Sequence, residues 1–105
     1  MKVRLRHHVI FREQVHRFTV VVECPFTPPD GFLFVFRSES KSDDCALVVD
    51  RVEGWDVTNE YLLVHTKEWD VDDWHTRGGE SLESEFKIAV HQLTNVAGCR
   101  HSPPG

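Results

Sequence analysis

Apolar and charged side chains alternate through the start of the chain. Val3, Leu5, His7, Val9 and Phe11 fall on one side of an extended backbone. Lys2, Arg4, Arg6, His8 and Arg12 fall on the other, and Ile10 breaks the pattern. A repeat of two is the signature of a strand with one buried face. Charges on the outer face also protect an edge strand from unwanted pairing. A short turn at Arg12-Glu13-Gln14 leads to a second alternating run, with Phe18, Val20, Val22 and Cys24 set against Arg17, Thr19, Val21 and Glu23.

Pro25-Phe26-Thr27-Pro28-Pro29-Asp30-Gly31 ends that strand, because proline cannot donate to a ladder and Asp-Gly favours a turn. Phe32–Phe36 is apolar on both faces and rich in aromatic residues, which suits a central strand. A polar loop from Arg37 to Asp44 joins it to a strand at Cys45–Val49. Glu53-Gly54-Trp55-Asp56 reads as a turn, with Trp55 over an open end of the core, and Tyr61–His65 as a fifth strand. Thr66 is a candidate N-cap for a short helix at 67–75, although Trp69 stands where a capping box needs Glu or Gln. Val71 and Trp74, three apart, would share its core face. Arg77-Gly78-Gly79-Glu80 forms a loop. Phe86, Ile88 and Val90, alternating with Lys87, Ala89 and His91, predict a last strand.

Six to seven strands and one short helix predict an all-β, mainly antiparallel, immunoglobulin-like β-sandwich, although the Cys…Trp…Cys hallmark of antibody-type domains is absent. At 105 residues the chain suits a single domain over 1–97, followed by a flexible tail over 98–105. No stretch approaches the apolar length that spans a bilayer, and charges interrupt the N-terminal residues where a signal peptide needs an apolar run. These features lead us to expect a chain made in the cytoplasm. Three widely spaced cysteines form no C-x-x-C pair. Cys24 and Cys45, in apolar runs, are expected to be buried free thiols, with a disulfide between them as the alternative.

The net charge of −5 argues against direct nucleic-acid binding, but the charge is polarised. Residues 1–17 carry five Lys and Arg against Glu13, whereas 53–85 carry ten Asp and Glu against Lys67 and Arg77. Two solvated faces would explain this, and so would head-to-tail association of copies.

Catalytic and metal motifs are lacking. His7 and His8 are adjacent and point to opposite faces of a strand, and no H-x-H or H-E-x-x-H occurs. Asp70-Val71-Asp72-Asp73 fails the calcium-loop pattern because Trp74 stands where a glycine turn is required. Ser81 and Ser84 lack a G-x-S-x-G frame, and the Gly78-Gly79 loop lacks the G-K-[ST] ending of a phosphate loop. The expectation is a protein without cofactor, metal or small-molecule substrate. Trp and Arg are enriched at interface hot spots. The candidate interface residues are therefore Arg4, Arg6, Arg12, Arg17, Phe26, Trp55, Trp69, Asp72, Asp73 and Trp74.

The order of these runs resembles a known kind of module. Val9-Ile10-Phe11-Arg12 leads into Arg17–Val22, a Pro-Asp-Gly loop opens Phe32–Arg37, and Tyr61–Thr66 passes through a short helix and a Gly loop to Glu85–Val90. Over residues 8–93 this is similar to the small immunoglobulin-like β-sandwich modules of tailed-bacteriophage virions, such as the N-terminal domain of baseplate upper proteins. The resemblance implies a non-enzymatic virion protein that binds copies of itself or neighbouring virion proteins. It carries no catalytic residues. The rival expectation is a cytosolic binding or inhibitor protein whose acidic face at Glu68–Glu85 mimics nucleic acid, and a small metal-dependent enzyme comes third.

Overall fold

A computed structural model describes residues 1–37, 44–76 and 81–105, with the backbone alone for 74–76. The alternation at the start of the chain becomes two ten-residue strands, β1 (Lys2–Phe11) and β2 (Gln14–Glu23). Their antiparallel register sets Val3 against Val22, Leu5 against Val20 and His7 against Phe18, so the apolar members of both runs share one face. The hairpin turn is only Arg12-Glu13, and both residues have positive φ, 52° and 63°. This matches the twist that a two-residue hairpin connection needs, although Asn and Gly adopt it more readily.

The remaining elements are β3 (Leu33–Phe36), β4 (Cys45–Asp56), β5 (Tyr61–Thr66), β6 (Trp69–Asp70), α1 (Val71–Thr76), α2 (Leu82–Thr94) and β7 (Arg100–Ser102). The strands form one sheet in the order β3-β4-β5-β1-β2-β7, with β6 beside the far end of β1. The β1–β5 and β1–β6 pairs are parallel and the other pairs antiparallel. The sheet curls into a half-barrel of the β-sandwich type, so the all-β class expected from the sequence holds.

The core lies on the face that carries Val3, Leu5, Val9, Phe18, Val20, Leu47, Val49 and Val64. Ala89 and Leu93 of α2, with Val71 and Val96, complete it. Cys24 and Cys45 are buried free thiols, and burial pushes the Cys45 thiol up to about 11. Cys99 is also free and half-buried.

Several local expectations are corrected. The run read as a last strand at 86–91 is the middle of α2. Ser81 caps that helix by accepting the Ser84 backbone N–H at 3.2 Å, and Glu83 and Glu85 occupy the first turn, where carboxylates favour the helix dipole. The helix expected at 67–75 starts only at Val71, because Trp69 and Asp70 pair with Val9 and Ile10. Thr66 is not its cap but the buried end of β5. Glu53–Asp56 is no turn. It continues β4 through a bulge between Val52 and Gly54, where Gly54 takes φ 153°. Part of the expected tail is ordered as β7, paired with Arg17–Thr19 of β2. The loop positions 38–43 and 77–80 lie outside the described residues, as does the side chain of Trp74.

Candidate interaction face

Among the described residues no helix or strand covers the face of the sheet opposite the core. Paired residues in adjacent strands share a face, with strands about 4.8 Å apart. The register therefore fixes which side chains meet there. Thr19 pairs with Arg6, Arg6 with His65 and His65 with Arg51, and Arg100 pairs with Thr19 on the other flank. One row across five strands thus reads Arg100, Thr19, Arg6, His65, Arg51. The next row holds Arg17 and His8. On the other side lie Val21, Arg4 and Leu63, and then Glu23, Lys2, Tyr61 and Asp56.

Six cations (Lys2, Arg4, Arg6, Arg17, Arg51 and Arg100) therefore gather on one surface. Among the described residues none of the six makes an ion pair, whereas Arg12 is paired with Glu83, and Arg37 with Asp44 at 3.7 Å. Glu23 and Asp56 share the face, and the β4 bulge adds Glu53. The Glu53 carboxylate lies 3.4 Å from His65 Nε2, close enough for attraction but out of line for a hydrogen bond. The Asp56 carboxyl is held below the usual carboxylate range by Asn59, whose side-chain and backbone N–H groups donate to it.

The field of this face acts on its own histidine. Burial holds the His8 pKa below its ordinary value, and the positive charges of Arg17, His65 and Arg6 lower it further, against a smaller opposing pull from Glu68. Two shallow depressions mark the surface. Arg4, Thr19, Val21, Tyr61 and Arg100 border one, and His8, Arg51, His65, Lys67 and Glu68 border the other. Side chains that carry charge, apolar area and an aromatic ring in one patch are equipped to bind an anionic protein surface.

Comparison of the chain with protein-family models, curated proteins and solved structures returns no match.

Of the candidate interface residues, Arg4, Arg6 and Arg17 converge here. Arg12 does not. It sits in the β1–β2 turn with its guanidinium 5.1 Å from the Phe11 ring centre and beside Glu83. Asp72 accepts the backbone N–H groups of Arg12 and Glu13 at 2.8 and 2.9 Å, and the Asp73 N–H donates to Asp70 at 3.1 Å. The acidic segment is thus partly engaged within the fold. Phe26 is exposed in the proline loop, edge-on to Phe32 with ring centres 5.2 Å apart. Trp55 is 50% exposed near the end of β4, opposite Leu62 and so on the other side of the sheet from the arginines. Trp69 is half-buried, edge-on to His7 at 4.5 Å.

Sequence reasoning missed Arg51 and Arg100. They stand far from the basic start of the chain, and only strand pairing brings them to it. Among the described residues, no group of three or more His, Cys, Asp or Glu side chains is placed to hold a metal, and no helix is long and apolar enough to cross a membrane.

Proposed function

We propose that this chain is a non-enzymatic assembly module. Its open basic sheet face docks on acidic surface of a second copy or of a neighbouring protein. The observation that carries this reading is the row of arginines that make no ion pair among the described residues. The chain has 12 Lys and Arg and 17 Asp and Glu in all. Six of the cations lie on this face, with Glu23, Glu53, Asp56 and, at its rim, Glu68 as the acids beside them, so most of the negative charge lies elsewhere. A molecule with one basic face and an acidic remainder attracts its own copies face to back, and repeated contacts of that kind build rings or filaments. The particle in which this assembly takes place is, on this reading, that of a tailed bacteriophage. Support for that comes from the order of strands over residues 8–93, although the segment compared with a last strand at Glu85–Val90 is helical. The rival reading, an acidic face that mimics nucleic acid, is disfavoured because Asp72 and Glu83 are bound to the β1–β2 turn.

Charge reversal tests the proposal. Arg6→Glu with Arg17→Glu alters two exposed or half-exposed positions and leaves the core untouched. In size-exclusion chromatography with light scattering at low salt, the wild-type chain is expected to elute as an oligomer and the double variant as a monomer. A monomeric wild-type chain that also fails to bind neighbouring gene products would overturn the reading. So would binding of a labelled oligonucleotide that the same reversal abolishes, since the face would then serve a phosphate backbone.

A further inference from the structure

The half-barrel does not close. β7 covers β2 only along Arg17–Thr19, so among the described residues the outer edge of Val20–Glu23 has no strand beside it. At the other end of the sheet β3 is likewise an edge, paired with β4 alone. The curl turns these two edges toward one groove of about 400 Å³. Val21 and Val22 line one wall and Val35 and Phe36 the other, with Asn95 and Val96 following α2 between them.

An uncovered strand edge is a row of backbone N–H and C=O groups that can pair with any extended chain. Folded proteins guard such edges with Lys, Pro, bulges or short length. Val20-Val21-Val22-Glu23 and Leu33-Phe34-Val35-Phe36 are guarded by their short length and by Glu23, but contain no Lys and no Pro. Apart from Glu23, the outward side chains are apolar and half exposed, with Val21 at 43%, Leu33 at 49% and Val35 at 46%. The groove therefore presents main-chain donors and acceptors on both walls, together with apolar side chains.

We propose that this seam takes an extended segment of a partner protein as an added strand, hydrogen-bonded along β2 from Val20 to Glu23. The geometry selects the occupant. A strand inside the sheet of a second folded copy carries a neighbour on at least one side and cannot enter a slot walled on both sides, whereas a lone extended segment can. The segment is about four residues long, the length of the uncovered edge, and apolar at alternate positions so that it meets the valines and Phe36. This surface meets the arginine face at Val21 but offers a different partner chemistry.

The probe is a set of acetylated hexapeptides that alternate Thr with Val, Ile or Phe, added to the full chain and followed by amide hydrogen exchange. Peptide is expected to slow exchange about tenfold or more at amides within Val20–Glu23 and Leu33–Phe36, with little change elsewhere. The same peptides N-methylated at alternate residues are expected not to bind. Val35→Lys, at an exposed position on the β3 wall, is expected to abolish the protection without lowering the melting temperature. Arg6→Glu with Arg17→Glu is expected to leave it intact, which separates this proposal from the assembly reading. Lack of protection with every peptide would overturn the proposal. Equal binding of N-methylated peptide would also overturn it, because the groove would then be a plain apolar cleft. Concentration-dependent protection of these edges without peptide would overturn it in favour of edge pairing between copies.

Discussion

Nδ1 of His7 and Oγ1 of Thr66 lie 2.7 Å apart inside the core, joining two parallel neighbours, β1 and β5. The Thr66 hydroxyl in turn donates toward the Arg6 carbonyl at 3.4 Å, while Nε2 of His7 has no hydrogen-bond partner among the described residues. His7 is 1% exposed, and burial, with a smaller contribution from His8, lowers its pKa from 6.5 to about 3.

This buried neutral imidazole makes stability depend on pH. The unfolded chain takes up the proton near pH 6.5 and the folded chain only near 3, so the unfolded state binds more protons between them. The contribution is complete above pH 6.5 and is lost as pH falls toward 3, at about 1.4 kcal/mol per pH unit and roughly 4 to 5 kcal/mol at most. Urea melts at pH 7 and pH 4.5 are expected to show this loss, and His7→Leu is expected to flatten it. Thr66→Val leaves Nδ1 unpartnered and is expected to cost about 1–3 kcal/mol at pH 7.

The Asp72 carboxylate holds the Arg12-Glu13 turn by accepting both backbone N–H groups. Each of these L-residues sits at positive φ, which costs about 1–2 kcal/mol relative to the ordinary helical region. Asp72→Ala removes both acceptors and is expected to lower stability by about 1–3 kcal/mol in thermal or urea melts. Glu13→Gly keeps the N–H, relieves the side-chain clash and is expected to raise stability by up to about 1 kcal/mol.

His16 Nδ1 and His101 Nε2 lie 3.0 Å apart, and the His101 ring stacks on Phe18 with centres 4.4 Å apart. Burial holds both pKa values below the ordinary value, and His16 is lowered further by His101. The contact between β7 and β2 is therefore expected to be complete above the ordinary histidine range and to weaken as pH falls through the lowered values, when both rings become charged. Hydrogen exchange at Arg100–Ser102 is expected to accelerate on acidification, and His16→Phe is expected to blunt the effect.

The residues that alternate without interruption were legible. Val3 to Phe11 and Phe18 to Cys24 assign their own strands and faces, and the open face of β1 could be read directly as Lys2, Arg4, Arg6 and His8. Helix α2 was misread because Phe86, Ile88 and Val90 also satisfy a period of two. The helical signal was nevertheless present, as Leu82, Phe86, Ala89 and Leu93 recur at three and four residues behind the Ser81 cap. Register lies beyond any local pattern. Arg51 and Arg100 join Arg6 only because β4, β5, β1, β2 and β7 pair in that order, so four of the six cations were visible and the other two depended on tertiary pairing. The Trp69 position was likewise decided from outside, by two backbone pairs with β1.

The central claim, that the unpaired cations of the open sheet face drive assembly, is tested most directly by sedimentation velocity of the wild-type chain across a salt series. Exposed charges separated by more than about 10 Å at 0.1 M salt are largely screened from one another. The account predicts oligomers at low ionic strength that dissociate steadily as salt rises, and a monomer throughout for the Arg6→Glu, Arg17→Glu variant. Oligomers of unchanged size at every salt concentration, in both proteins, would contradict it.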